Sequence, residues 1–332
     1  MALPDWARAH GAPLFPAAIR TKAEDFDVTE ELGFEFSGDG EHDYLFIEKT
    51  GANTEWVSRQ LAVHADVPAR DVGYAGLKDR HAVTRQWFSV PRWNSPNWNQ
   101  LAVEGVRLLK QQQHNRKLRR GAHTANRFRI VVRERPPEAS TLAERLETIK
   151  ASGVPNYFGE QRFGRGGSNI KLADNWSRGK RLPRHKRSIA ISAARSFIFN
   201  QILDARVQDK TWNRLVSGDV ANLDGSGSVF EVDKVDDDLT RRCDEMDIHP
   251  AGPLCGDGTP PAQAPVEHDG WLRALTDARV KPASRSFRLR VADFKWSTDD
   301  DSLVLEFALG RGAFATSVLR EIADVHDKAR IA

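Results

Sequence analysis

Cysteine is scarce in this sequence: 332 residues include two, Cys243 and Cys255. So few argue against a disulfide framework. His249 and His268 lie near them, but the spacings fit no common zinc pattern and no CxxC pair occurs, so no metal site is expected. Also missing is any apolar run of membrane-spanning length. The start, Met-Ala-Leu-Pro-Asp-Trp-Ala-Arg, lacks the charged beginning and apolar core of a signal peptide. A cytoplasmic protein with no membrane partner is the expectation, and nothing points to an obligate protein partner. There is no Walker loop and no dinucleotide fingerprint after a strand. Gly164 to Gly167 reads Gly-Arg-Gly-Gly but lacks the lysine and strand–helix setting of a phosphate loop. No cofactor is expected.

What is present is the composition of an ordinary globular chain, 40% hydrophobic and 29% charged, with length enough for two domains. The formal net charge is only +3, but it is unevenly placed. A local basic face is what nucleic acid feels. Lys110, His114, Arg116, Lys117, Arg119 and Arg120 form one cluster, interleaved with amides. Arg178, Lys180, Arg181, Arg184, Lys186 and Arg187 form a denser second one. Each is either a solvated face or a set of phosphate contacts.

The stretch from Gly73 to Val90 reads as a short strand, a tight loop and a second strand. Gly73 and Gly76 are expected to supply backbone angles that other residues resist. The loop presents Lys78, Asp79, Arg80 and His81 together, one carboxylate among three potential cations. It is either a solvated hairpin tip, where Asp is a common turn-former, or a catalytic carboxylate in a basic cleft.

Alternation places other residues. Phe26, Val28 and Glu30 fall on one side of a strand, and Asp25, Asp27 and Thr29 on the other. Residues 43 to 49 read as a buried strand. A helix through Trp56, Val57 and Leu61 follows, capped by Asn53 or Thr54. In 126–133, Asn126, Phe128, Ile130 and Val132 share one face, and Arg127, Arg129 and Arg133 the other. Helices are expected over 141–151 and 189–206. An acidic stretch (231–247) and a Pro/Gly-rich loop (250–265) follow. Phe287 to Val291 reads as a strand alternating with Arg288 and Arg290. Leu303 to Leu309 reads as a buried strand, and a helix is expected to begin near Ala315 or Thr316.

The run Tyr-Ala-Gly-Leu-Lys-Asp-Arg-His-Ala-Val-Thr-Arg-Gln, residues 74–86, resembles the signature of the TruD family of tRNA pseudouridine synthases. Further motifs occur in the family's order: Glu24-Asp-Phe-Asp-Val-Thr-Glu30, Asn126-Arg-Phe128, Asn156-Tyr-Phe-Gly159 with Gln161-Arg-Phe-Gly164, and Gly312-Ala-Phe-Ala-Thr316 before Arg320-Glu321. The resemblance spans residues 19 to 322. It implies Asp79 as the catalytic residue and Arg20 beside it, where the family commonly has Lys. Ala23 stands where Pro is frequent. It implies Phe26, Asn126, Phe128 and Phe314 as contacts to the target nucleotide. The aromatics and Arg of residues 156–164 either stack on bases or form a domain junction. Beside such a site the clusters become RNA contacts, with Arg116, Lys117, Arg119, Arg184, Lys186 and Arg187 the candidates.

The fold implied is α+β. A pseudouridine-synthase-like catalytic domain with a mixed, largely antiparallel sheet would comprise residues 1–152 and 286–332. An inserted TRUD domain of α/β type, 153–285, would form a cleft with it. The activity implied is isomerisation of uridine to pseudouridine at position 13 of tRNA. That rearrangement oxidises and hydrolyses nothing, so it requires no cofactor. Two other classes compete. A non-catalytic binder of structured RNA would need the basic clusters but not Asp79. A metal-dependent RNA-cleaving enzyme would need converging carboxylates, for which Asp25, Asp27 and Asp79 are the candidates.

Overall fold

The computed structural model describes residues 3–258 and 265–330, without the side chains of Val266 and Arg330. In chain order the strands before the middle of the chain are β1 (Pro16–Ile19), β2 (Phe26–Leu32), β3 (His42–Lys49), β4 (Gly73–Tyr74), β5 (Val83–Pro91), β6 (Val106–His114) and β7 (His123–Arg133), with helix α1 (Thr54–Ala65) after β3. Then come α2 (Ala139–Ser152), β8 (Val154–Pro155), α3 (Ser168–Ser177), α4 (Arg184–Gln208), β9 (Asp219–Leu223), β10 (Val229–Val232), α5 (Asp237–Asp244), β11 (Ile248–Leu254), α6 (Asp269–Asp277), β12 (Ala283–Ser286) and β13 (Arg288–Leu289). The chain closes with β14 (Ala292–Thr298), β15 (Ser302–Gly310), α7 (Ala315–Leu319) and β16 (Asp324–Asp327). These elements group into two units. One holds Met1–Pro13, Ala143–Val291 and Ala313–Ile322; the other holds Leu14–Leu142, Ala292–Gly312 and Ala323–Ala332.

The second unit is built on one large sheet in the order β14-β15-β7-β2-β5-β3-β6. β1 joins it through β7 and β16, and β4 through β5. Pairing is antiparallel except for β2 with β5 and β1 with β16. The sheet is therefore mixed and largely antiparallel. Its register sorts side chains cleanly. Val28 stands opposite Phe128 and Thr84, and Glu30 opposite Asn126. Ile47 stands opposite Gln86, and Lys49 opposite Thr84. Residues paired in register share a face, so Phe26, Glu30, Lys49, Gln86, Asn126 and Phe128 all lie on one side. α1 covers part of that side with Val57, Leu61 and Ala65, a stripe at every fourth residue, packed against Leu45, Ile47, Phe88 and Val90. Leu61 is fully buried, so truncating it to Ala would cost about 2–5 kcal/mol. The other side carries Asp27, Arg85, Arg127 and Arg129 in ion pairs.

The first unit centres on α4. Ala190, Ala193, Ala194, Phe197, Ile198 and Leu203 are buried along it, and α3 and α6 pack nearby. A four-stranded antiparallel sheet, β10-β9-β11-β12, lies in the same unit. Here the structure departs from several expectations. α4 begins at Arg184 and not at Ile189, because Pro183 just ahead of it tolerates a helix start. The loop expected over 250–265 is strand as far as Leu254. Pro250 opposes only β9 and Pro253 only β12. Each proline thus stands where one neighbour is absent from the ladder, which is where a missing N–H is tolerated. Residues 259–264 of that stretch lie outside the described residues. The alternating strand expected at 287–291 shrinks to Arg288–Leu289. Arg288 points inward, 4% exposed, and donates to His249 Nδ1 and to the carbonyls of Asn213, Cys243 and Ile248.

Candidate active site

The loop between β4 and β5 is fixed by polar contacts from four directions. Thr54, at the start of α1, accepts from Lys78 N at 2.9 Å and donates to Gln86 Oε1 at 2.8 Å. Gln86, on β5, donates from Nε2 to Gly76 O at 3.2 Å. Lys78 Nζ reaches Glu30 Oε2 at 2.7 Å, and the Glu30 side chain is fully buried. Lys49, 1% exposed, donates to the carbonyls of Ala52 (2.8 Å), Asp79 (3.0 Å) and Lys78 (3.4 Å). Neither Gly73 nor Gly76 adopts a positive φ, contrary to expectation. Gly73 is required for another reason: a Cβ there would stand 2.4 Å from Leu118 O and 2.5 Å from Ser89 Oγ.

Asp79 stands at the free end of this loop. Its Oδ1 accepts from His81 N at 3.0 Å, the local contact of an Asp-initiated turn. Its Oδ2 accepts from Arg20 Nη1. The Asp79 side chain is 30% exposed, whereas that of Arg20 is 6% exposed. Arg20 follows β1 with φ of 56°, in the left-handed region that costs a non-glycine residue of order 1 kcal/mol or more. That turn aims the guanidinium inward, over the Phe26 ring at 4.9 Å. Its Nε and Nη2 bind both oxygens of Asp327, on β16. One guanidinium thus joins two carboxylates from distant parts of the chain.

Asn126 and Phe128 lie on the same sheet face as Phe26. Phe26 and Phe128 meet edge to face at 6.1 Å, and Phe128 stacks on Phe307 at 5.4 Å. Both rings are more than nine-tenths buried, so each offers an edge and not an open face. Asn126 Oδ1 is buried and has no hydrogen-bond partner among the described residues. Phe314 belongs to the first unit, where it packs against Phe158 at 6.3 Å. Tyr157, Phe158 and Phe163 are buried in that unit's core. The Asn200 amide clamps both the N–H and the carbonyl of Phe158. Of the two roles open to those aromatics, stacking on bases is thereby excluded for these three rings, since core packing already covers them.

The basic clusters are at the surface. Arg116, Lys117 and Arg119 are exposed on the loop after β6, anchored by buried Leu118. Lys117 and Arg119, with Arg70 and Arg120, line a groove around Tyr74, on whose ring Arg120 lies at 3.6 Å. Arg184, Lys186 and Arg187 are exposed on the first turn of α4. The carboxylates a metal-dependent nuclease would need do not converge: Asp25 is bound by Arg133 and Asp27 by Arg85.

Sequence reasoning missed Lys49, Thr54, Gln86 and Asp327 as parts of this site, and it named Lys78 only as one of the loop's cations. One signal was available. Period two from Leu45 and Ile47 carries Lys49 to the buried side of β3. The pairing of Arg20 with Asp327, 307 positions apart, had none.

The model of the family described as tRNA pseudouridine synthase D (TruD) matches residues 11–175 and 168–322. A protein of Methylococcus capsulatus named tRNA pseudouridine synthase D is 43% identical over 334 residues, covering 96% of this chain and 94% of its own length. One of Nitrosococcus oceani with the same name is 44% identical, covering 93% and 91%. A crystal structure titled as the putative tRNA pseudouridine synthase D (TruD) from Methanosarcina mazei aligns with a TM-score of 0.75 over 96% of both chains. At 21% identity that is a likeness of fold. The family's model spans nearly all of the motifs around Asp79 and Arg20, and the chain belongs to the tRNA pseudouridine synthase D (TruD) family.

Proposed function

We propose that the protein isomerises uridine to pseudouridine at position 13 of transfer RNA, with Asp79 as the catalytic carboxylate. The observation that carries this reading is a partly exposed Asp79, held by Arg20 on a pinned loop, in a chain so similar to proteins named tRNA pseudouridine synthase D. The reaction breaks the C1′–N1 bond of the nucleoside and forms a C1′–C5 bond. C5 gives up its hydrogen as a proton, and N1 takes one. Addition of a carboxylate at C6, its attack at C1′ and removal of the 2′ proton each require an ionised carboxylate with a lone pair to spare. Each Asp79 oxygen accepts one hydrogen bond and keeps one.

A uridine inside folded RNA must leave the stack to be reached, at a cost of a few kcal/mol. Asn126 Oδ1, an unfilled acceptor, suits the N3–H of uracil; cytosine has no hydrogen there. Phe26 and Phe128 supply apolar edges beside it. Phe314 is assigned a contact to the same nucleotide on its motif alone. Arg116, Lys117, Arg119, Arg184, Lys186 and Arg187 are assigned to phosphates. Cations on the first turn of α4 oppose its macrodipole, so helix stability does not account for them. The catalytic domain is assigned to residues 1–152 and 286–332, the inserted one to 153–285, and the protein to the cytoplasm. Among the described residues no helix is long and apolar enough to cross a membrane.

The test is incubation with transfer RNA tritiated at C5 of uridine, without added metal. Isomerisation releases tritium, binding alone releases none, and cleavage shortens the RNA. Asp79→Asn is nearly isosteric but supplies neither charge nor base. Its turnover should fall to background while RNA binding stays within about tenfold, ~1.4 kcal/mol. Substantial turnover by a verified Asn protein would refute the assignment. Release that persists when uridine 13 is replaced would refute the position.

A further inference from the structure

Lys49 is the most deeply buried cation of the second unit, and it has an unusual set of partners. Its ammonium has three N–H donors, and three main-chain carbonyls receive them, those of Ala52, Lys78 and Asp79. Two of the three belong to the loop that carries the proposed catalytic residue. No carboxylate forms an ion pair with it among the described residues.

We propose that Lys49 is a positioning residue for the reaction: it holds the main chain at Lys78 and Asp79, and so fixes where the Asp79 carboxylate stands. The proposal rests on Asp79 being the catalytic carboxylate. Lys49 is not itself a catalytic residue, since it lies beneath the loop and is 1% exposed.

The physical case is one of cost. Burying a charge without an ion-pair partner is expensive. A neutral donor, an amide or a bound water, could satisfy carbonyls without that cost. Burial pushes the Lys49 ammonium down to about 8, against an opposing pull from Asp79 and with a smaller push from Lys78. Lys78 is itself neutralised by Glu30. On the neighbouring strands the residues opposite Lys49 are Thr84 and Val106, both uncharged. The charged group that favours a cation here is therefore Asp79, whose own carbonyl the cation holds. Below pH 8 the charge opposes folding, because the unfolded lysine keeps its proton to higher pH. A cation kept against stability, touching the functional loop from below, has a use in the loop.

The anchoring also has a sign in pH. As pH rises through about 8 the ammonium loses its proton. It then offers two donors to three carbonyls and no charge toward Asp79. Turnover should decline over that window.

The experiment compares wild-type protein with Lys49→Met and Lys49→Gln on tritiated transfer RNA between pH 6 and 9.5, with thermal unfolding and RNA affinity measured on each. Expected is a kcat lowered about 100-fold, equivalent to ~2.7 kcal/mol, in both variants. KM and RNA affinity should stay within about threefold. The wild-type decline above pH 8 should be absent from the variants. A scaffold role alone would lower the unfolding temperature and leave the shape of the pH profile intact. If both variants keep turnover within about threefold of wild type, or keep the alkaline decline, the proposal is wrong. If neither variant folds, the wild-type profile decides together with amide exchange at Arg80 and His81. A flat rate and unchanged protection between pH 7 and 9 overturn the proposal, and a parallel loss of both supports it. Asp79→Asn runs alongside: activity in that protein would remove the catalytic reading, whereas inactivity there with active Lys49 variants would remove only this proposal.

Discussion

Replacing Arg20 probes the site where its charges are most tightly joined. The guanidinium is 6% exposed and binds two carboxylates, Asp327 at 10% exposure and Asp79 at 30%. Arg20→Met leaves both acids without their shared cation. Removing one partner of a buried pair costs about 3–5 kcal/mol. Asp327 bears most of this, because Asp79 can turn to water. A loss of about 3 kcal/mol would lower the unfolding temperature by roughly 6–12 °C, at about 2–4 °C per kcal/mol in units of this size. The effect on catalysis is separate. A charge pair near 4 Å is worth about 4 kcal/mol at an effective dielectric constant of about 20. The exposure of Asp79 halves that to about 2 kcal/mol, or about 30-fold in kcat/KM. Arg20→Lys keeps the charge but loses the fork that holds both oxygens of Asp327. It should cost about 1 kcal/mol of stability and less than about fivefold in rate. Both replacements keep a Cβ, so the strain at φ 56° cancels from the comparison. The assay is tritium release beside thermal unfolding, with Asp327→Asn completing a double-mutant cycle. Equal turnover by the Met and Lys proteins, both folded, would remove Arg20 from the mechanism. An Asp327→Asn change that costs as much stability in the Met background as in wild type would refute the shared-cation geometry.

Three further outcomes are expected. Asn126→Ala should lower kcat/KM by about 5- to 100-fold, the cost of one lost hydrogen bond in a buried site, and should narrow the preference for uridine over cytidine in competition binding. Neutralising Arg184, Lys186 and Arg187 together should lower the salt slope of RNA binding by about 2–3 without lowering the unfolding temperature, since these cations oppose the α4 dipole; an unchanged slope makes them a solvated surface. His249 should make stability fall with acid: its Nδ1 accepts from Arg288, which leaves Nε2–H to donate to Asp224. Burial chiefly, with Arg288, holds its proton affinity below the ordinary value. The unfolded ring therefore protonates first, stability drops as pH falls below about 6.5, and His249→Asn should flatten that slope in urea titrations at pH 5 and 7.

The strands were legible wherever one face is wet. Residues 126–133 alternate because β7 is central and amphipathic, and the same holds for Phe26, Val28 and Glu30 on β2. Alternation failed for 287–291 because Arg288 is solvated by protein carbonyls and a histidine instead of water; a hydropathy pattern cannot register that exchange. It failed again at Pro250 and Pro253, whose place in a strand depends on which neighbours pair with it. At the site, Asp79 and Arg20 were nameable through their motifs. Their supports were not. Thr54 looked like a helix cap and is one half of a bridge to Gln86 and Lys78. Asp327 gave no local pattern, because its partner is chosen by the parallel pairing of β1 with β16, which sets Ile19 beside it.

That pairing sets a second acid within reach of Arg20. Arg20, Lys49 and Lys78 lie at the loop with Glu30, Asp79 and Asp327. Lys78 is spent on Glu30, at 2.7 Å with both side chains nearly inaccessible. Lys49 is spent on carbonyls. Arg20 reaches both remaining acids, and a planar fork can grip one carboxylate with two nitrogens and still extend a third to another. A lysine has donors enough but no fixed geometry for them, so it would sample one acid or the other. Of the three carboxylates, Glu30 and Asp327 are at or below 10% exposure, and their charge is consumed in holding cations. Asp79 is left as the one whose oxygens face both a cation and solvent. The strained φ of Arg20, the buried charge of Lys49 and the unfilled acceptor of Asn126 each disfavour the fold. They lie on one sheet face and its adjoining loop, and costs concentrated in one place are what a preorganised site requires.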